Sequence, residues 1–161
     1  MRASPALLEY LKRRERYRAR PYLDQAGKLT IGYGHLLTAK DKARLTHLTR
    51  DQADALIMAD VGAFAVYLTG VSRNYPRPLQ QHEFDGLLSF AFNVGLRAFE
   101  RSTLHRLLKA GDFAGAAAQF DRWVYITVTD ALGNKVKRVS RGLVNRRRMD
   151  RAIFEKAVYA A

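Results

Sequence analysis

Apolar residues recur at helical spacing in most of this chain and alternate in two short stretches, which predicts a mainly helical protein with a little sheet. Leu7, Leu8, Tyr10 and Leu11 form a short apolar stripe leading up to Glu15. Ser4-Pro5 supplies its start, with serine as N-cap and proline at the first helical position. Pro21 cannot continue a helix and pushes Arg20 towards an extended conformation, so the helix should stop at or before Arg20, with Glu15 in or near its last turn. Tyr22 and Leu23 read as a strand running into a turn at Asp24-Gln25-Ala26-Gly27. Lys28 to Tyr33 alternates as a second short strand, with Leu29, Ile31 and Tyr33 on one face and Lys28, Thr30 and Gly32 on the other. Asp24 and Thr30 then share the side of a hairpin that looks away from its apolar face. Leu36-Leu37-Thr38 predicts the start of another helix, with Thr38 as cap and Asp41 three residues on.

Thr49 and Gln52 make a capping box that opens a long helix. Ala53, Leu56, Ile57, Val61, Phe64, Ala65 and Leu68 keep its period, and Gly70 is its expected stop. Asn74 to Pro78 reads as a loop, and Leu79 to Phe92 as a buried helix. Gly111-Asp112-Phe113 is a turn and cap for a short helix over Ala114 to Phe120, near the lone Trp123, which suits a core or hinge position. Val124, Ile126 and Val128 alternate again, Asp130 to Asn134 makes a turn, and Val136 and Val139 follow, giving a loop or small hairpin. Gly142-Leu143 opens the last helix, which carries Arg146, Arg147, Arg148 and Arg151.

Composition narrows the classes. At 161 residues the chain suits one domain with a real core, and two lobes around one cleft fit that size. It has no cysteine, so disulfides and thiolate chemistry are excluded. His35, His47, His82 and His105 show no metal-ligand spacing. The net charge of +13 predicts attraction to polyanions: nucleic acid, anionic lipid or an anionic cell wall. No helix-turn-helix, zinc-finger or RNA-module pattern accompanies that charge, so specific nucleic-acid binding is not expected. No apolar run follows Arg2 and Pro5, so no signal peptide is expected, and Val61 to Val71 is too short to span a bilayer. A soluble protein made in the cytosol is the expectation.

The candidate chemistry lies between Glu15 and His35. A helix C-terminus favours cations, so Glu15 sits against the local preference while Arg14, Arg16 and Arg18 fit it. Two carboxylates from separate elements meeting at a cleft suit glycoside hydrolysis, in which one donates a proton to the leaving oxygen and the other, ionised, activates water or attacks carbon. Taken alone, the ordinary fate of such acids is an ion pair for Glu15 and a turn cap for Asp24. The spacing is less ordinary. Eight residues separate Glu15 from Asp24 and five separate Asp24 from Thr30, with Tyr22 before the aspartate and Thr30-Ile-Gly-Tyr-Gly-His35 after it. This resembles the phage-type lysozymes, or endolysins, of glycoside hydrolase family 24. The Phe84 to Gly95 phrase, Ser102-Thr103-Leu104 and Gly142-Leu-Val-Asn-Arg-Arg147 extend the resemblance from about Leu7 to Phe154. One departure is Arg16, where the family commonly has glycine, which bears on local backbone freedom.

The resemblance implies an α+β, mainly helical, lysozyme-like fold. A small β-hairpin lobe and a larger helical lobe are joined by a long helix, with the active-site cleft between them. It implies a single domain over residues 1–161, with the small lobe at about 12–50 and the helical lobe at about 70–161 plus the N-terminal helix. Glu15 is then the general acid, Asp24 the partner carboxylate and Thr30 the residue that positions water. His35, Leu36, Phe92 and Ser102 lie at the substrate, and Arg146 or Arg147 turns inward to hold Glu15; the alternative for these arginines is a solvated basic face. The implied reaction is cleavage of the β-1,4 bond between N-acetylmuramic acid and N-acetylglucosamine in bacterial peptidoglycan, with no metal and no cofactor. An inverting mechanism needs the carboxyls roughly 6.5–9.5 Å apart, a retaining one about 5 Å. A lytic transglycosylase acting on the same bond is one alternative, and a basic nucleic-acid-binding protein, motivated by the net charge of +13, is the other. The implied setting is host lysis by a monomer, released from the cytoplasm through a separate holin. The basic last helix is expected to meet an anionic envelope or outer-membrane surface.

Overall fold

A computed structural model describes residues 1–24 and 27–159. Helix α1 spans Pro5–Glu15; Ser4 caps it by accepting from the Leu7 N–H, and Leu7, Tyr10 and Leu11 are its buried side. Three antiparallel strands follow in the order β1 (Arg18–Leu23), β2 (Leu29–Gly32) and β3 (His35–Leu36). Thr30 pairs with Tyr22 on one side and Leu36 on the other. The β1–β2 register shifts between Arg18 and Tyr22, across Pro21, which has no N–H to give the ladder.

The third strand differs from the sequence expectation, which began a helix at Leu36. Gly34, at φ +85°, turns the chain back after β2, and the Leu37 N–H donates to the Leu29 carbonyl. The helix instead starts three residues later as α2 (Ala39–Lys42), with the expected Thr38–Asp41 capping box. The faces of β2 also differ. Thr30 is buried along with Ile31 and Gly32, and Gly32 packs on Ala53 of α3 and on Leu48 just before that helix, a Cβ there lying 3.3 Å from both.

Helix α3 (Arg50–Ser72) opens at the Thr49–Gln52 box and buries Ala53, Ile57, Val61, Ala65 and Leu68. It runs through Gly70 to Ser72, because an exposed glycine weakens a helix by only about 1 kcal/mol and does not by itself end it. As a whole α3 is long and apolar enough to cross a membrane by length and composition, which the Val61–Val71 run alone is not. In the fold its inward positions belong to the core shared with α1, β2 and α4.

Helix α4 (Gln81–Val94) is the centre of the larger lobe and is buried along Glu83 to Ala91. It packs against α8 (Arg141–Lys156) so closely that a Cβ on Gly86 would come within 2.7 Å of Phe154. Between them lie α5 (Leu96–Glu100), α6 (Thr103–Lys109), α7 (Phe113–Gln119) and a 3-10 turn, Phe120–Arg122. The first two helices were not evident from periodicity, since each is too short to show it. Phe90 joins this packing edge-on to Phe120 and Trp123, both at 5.3 Å between ring centres. The alternating stretch forms a hairpin of β4 (Tyr125–Thr129) and β5 (Lys135–Val139).

Candidate active site

Glu15 is the last residue of α1, because the chain leaves the helix at Arg16 with φ +54° and ψ 122°. The exit is anchored by Tyr17, whose hydroxyl donates to the Leu48 carbonyl and whose ring lies under the Arg50 guanidinium at 4.8 Å. Arg14 ties the same end of α1 to the start of α8 through the Gly142 carbonyl, at 3.2 Å.

Arg146 or Arg147 is expected to turn inward on Glu15; both side chains are buried, and their roles separate. Arg146 Nη2 donates to Glu15 Oε1 at 2.7 Å, from a side chain 9% exposed to one 24% exposed. Arg147 is fully buried and goes elsewhere: it donates to Asn93 Oδ1, lies 3.3 Å from Asp150 Oδ2 and covers the Phe90 ring at 4.9 Å. Asp150 also accepts from the Ser89 hydroxyl at 2.6 Å. Burial pushes the Arg147 guanidinium down to about 10 against the pull of Asp150, and burial pushes the Asp150 carboxyl up. Arg147 therefore keeps its proton at neutral pH and organises Asn93 rather than Glu15.

Asp24 directly follows β1, and Gln25 and Ala26 of the expected turn lie outside the described residues. The Asp24 N–H donates to the Lys28 carbonyl and its Oδ1 accepts from the Lys28 N–H, both at 2.8 Å. The Thr30 hydroxyl donates to the Tyr22 carbonyl at 3.3 Å, which leaves its oxygen lone pairs for another donor. His35 is fixed from α3, with Nδ1 2.8 Å from Asp60 Oδ2 and Nε2 3.9 Å from Asp41 Oδ2.

Glu15, Asp24, Thr30, His35, Leu36 and Phe92 all line one cavity of about 580 Å³ between the three-stranded sheet, α3 and α4. Its apolar wall is Phe92 set edge-on to Phe64 at 5.3 Å. The backbone of Gly34 forms its floor beside Glu15: a Cβ there would sit 3.9 Å from Oε2. Gly32 packs against Ala53 and Leu48 instead. Ser102 is not among the residues lining this cavity. It caps α6, accepting from the His105 N–H at 3.0 Å and donating to the Phe99 carbonyl at 2.6 Å. Asp60, Phe64 and Asn93 join the site without having been singled out in the sequence. A signal existed for the first two: Asp60 and Phe64 are one helical turn apart on α3, with a carboxylate interrupting an apolar run. Among the described residues no cluster of three histidine, aspartate or glutamate side chains is placed to hold a metal ion.

A partly exposed carboxyl held by one arginine, a second carboxylate and a buried hydroxyl thus face a cavity with an aromatic wall. The arrangement suits acid–base chemistry on a polar ligand with apolar faces. Comparison with known proteins gives it a family. The phage lysozyme family model matches residues 12–150. The endolysin of Acyrthosiphon pisum secondary endosymbiont phage 1 is 34% identical over 159 residues, covering 98% of this chain and 100% of its own. The structure of the endolysin from Escherichia coli O157:H7 phage FAHEc1 matches with a TM-score of 0.82 at 33% identity, over 100% of this chain and 98% of that one. The muramidase domain of SpmX from Asticaccaulis excentricus matches with a TM-score of 0.80 at 29% identity, over 96% and 98%. The chain, matched by fold, by site-bearing segment and by sequence over nearly its full length, belongs to the phage lysozyme family.

Proposed function

We propose that this peptidoglycan-lytic glycoside hydrolase cleaves the β-1,4 bond between N-acetylmuramic acid and N-acetylglucosamine, with Glu15 as proton donor, Asp24 as partner carboxylate and Thr30 as the group that orients water. The observation that carries this reading is the convergence of the three side chains on one cavity, with Arg146 bonded to Glu15. A muramidase domain among the structural neighbours supports the choice of bond.

In this mechanism the Glu15 carboxyl gives its proton to the glycosidic oxygen as the bond to the anomeric carbon breaks. Asp24 faces the positive charge that develops on the sugar and takes a proton from the attacking water. The Thr30 hydroxyl has committed its hydrogen to Tyr22, so it meets water as an acceptor and turns the water lone pair towards the anomeric carbon. Phe92 and Phe64 offer the apolar wall against which a sugar ring can rest. The products are a free reducing muramic end and a new non-reducing glucosamine end. An anhydro-muramic end would instead identify a transglycosylase.

The same proposal treats residues 1–161 as one catalytic unit acting as a monomer. The small lobe at about 12–50 and the helical lobe at about 70–161, with α1, close on a shared cleft. It places delivery to the wall in the hands of a separate holin, with Ala53, Ile57, Val61, Ala65 and Leu68 of α3 packed into the core. Cells expressing the protein alone should stay intact while their lysates clear purified wall; lysis without any permeabilising partner would refute this delivery. The charge of +13 supports adsorption to the anionic envelope. Salt that lowers sedimentation with whole envelopes without lowering it for neutral glycan is the expected signature.

A further inference from the structure

The β4–β5 hairpin projects from the helical lobe. Its strands pair with each other from Tyr125–Val139 to Thr129–Lys135, and neither packs extensively on any other element. At about 3.4 Å per residue, a five-residue strand carries the turn roughly 17 Å from the hairpin base. A two-stranded hairpin standing by itself in water is marginally stable, so one that keeps apolar side chains exposed calls for a surface to cover them.

The turn at the far end is firmly built. Asp130 Oδ1 accepts from the Leu132 and Asn134 N–H groups at 2.9 and 2.8 Å, and the Asp130 N–H donates to the Asn134 carbonyl at 2.9 Å. Gly133, at φ +84°, gives its N–H to the Asp130 carbonyl at 3.1 Å. Leu132 is held outward by these bonds and is 86% exposed. With those four N–H groups satisfied inside the turn, the tip loses little by leaving water. Behind the tip, Ile126 and Val139 are exposed as well. Register sets Lys135 and Lys137 on one face of the hairpin with Val139, and Arg138 on the other with Ile126. Among the described residues these three cations make no ion pair. The one acid between Tyr125 and Val139 is Asp130, whose carboxylate is taken up by the turn. A soluble polyanion would meet the cations and leave Leu132 in water. An anionic lipid surface accepts both, the apolar tip between headgroups and the cations on phosphates.

We propose that the β4–β5 hairpin is a peripheral docking element for anionic phospholipid membranes, with Leu132 entering the headgroup region and Lys135, Lys137 and Arg138 meeting the phosphates. Its strands are shorter than the about 9–11 residues that a membrane-spanning strand needs, so the hairpin rests at the surface. The inference deepens the envelope adsorption proposed above by naming the surface and the lipid, and it is independent of the bond cut in the cleft.

Sedimentation with vesicles of phosphatidylcholine, with and without phosphatidylglycerol, tests it. Wild type should bind the anionic vesicles and not the neutral ones. Leu132→Ser should weaken that binding about tenfold. The Lys135→Gln, Lys137→Gln, Arg138→Gln variant should weaken it roughly a hundredfold. These side chains are exposed, so Tm should hold. Leu132→Trp reads the tip directly: anionic vesicles should shift its emission to the blue over the background of Trp123, the chain's one native tryptophan. Glu15→Gln should bind vesicles as wild type does, which separates this result from the hydrolase reading. Equal binding of wild type to both vesicles, binding to neither, undiminished binding by the triple variant or an unshifted Leu132→Trp emission overturns the proposal. Loss in the triple variant with none in Leu132→Ser also overturns it, in favour of a site for a soluble polyanion.

Discussion

Arg16 holds a backbone conformation that side chains rarely adopt, at φ +54°, one residue beyond the proposed acid. Such a position costs of order 1–3 kcal/mol and persists only where its surroundings impose it. Here Tyr17, fixed between Leu48 and Arg50, imposes it on one side and α1 on the other. Arg16→Gly should therefore stabilise the protein by about 1 kcal/mol after glycine's own entropy cost, seen as a rise of a few degrees in Tm. A loss of stability would mean that the arginine side chain contributes more than its backbone costs. The two inward arginines should separate in the same way. Arg146→Gln removes the partner of Glu15 and should lower kcat with little effect on Tm. Arg147→Gln leaves Asp150 buried without its cation and should cost about 3 kcal/mol of stability. Equal effects of the two on Tm would contradict this division. That Glu15, Asp24 and Thr30 share one cavity was legible in the sequence, because one short segment carries all three at fixed spacing. Asp60 and Asn93 were not, because only the packing of α3 and α4 brings them to that segment. Which of Arg146 and Arg147 meets Glu15 is decided by the rotation of α8 on α4, which adjacent residues of one type cannot encode.

Among the elements, α4 and α8 depend on backbone contact. Gly86→Ala would put a Cβ 2.7 Å from Phe154, so the helices must separate, and a loss of about 1–3 kcal/mol is expected in denaturant unfolding. An unchanged midpoint would show that α8 slides at no cost. The first turn of α4 depends on Glu83. Its carboxylate accepts from both Arg77 nitrogens, at 2.6 and 2.8 Å, and from the Gln80 N–H at 2.8 Å. Burial pushes that carboxyl up, but the guanidinium and the backbone N–H outweigh it and hold it below the ordinary glutamate range. A carboxyl depressed in the folded state contributes stability that is complete above its unfolded value of about 4.3 and is lost as pH falls through the lower folded value. Wild type should lose stability across that acid window. Glu83→Gln should be less stable at pH 7 by about 1–3 kcal/mol and flatter below pH 4. Parallel profiles would assign the acid sensitivity elsewhere. The long helices were readable because caps and period agree. The third strand was hidden because two residues show no alternation, and the boundary at Leu36 was set by the turn at Gly34.

For the whole molecule, charge and fold act on different partners. The basic last helix is only partly a surface: Arg146 and Arg147 are buried in the site and its support, and Arg151 is tied to Asp121 and Glu155. Exchanging Arg146, Arg147, Arg148 and Arg151 together would thus remove activity through the fold and the site, and could not report on envelope binding. The lysozyme-like architecture was legible from the order of its phrases along the chain. The hollow between the β4–β5 hairpin and the C-terminal end of α4 was not, because it needs the hairpin register and that helix end together. The central claim is that one cleft hydrolyses the muramic bond with Glu15 as its acid. Turbidity loss of purified peptidoglycan by wild type and Glu15→Gln, with the released ends identified by mass spectrometry, tests it most directly. Clearing by wild type with free reducing muramic ends, and none by a folded Glu15→Gln, is the expected result. Undiminished clearing by Glu15→Gln, or anhydro-muramic ends from wild type, would contradict it.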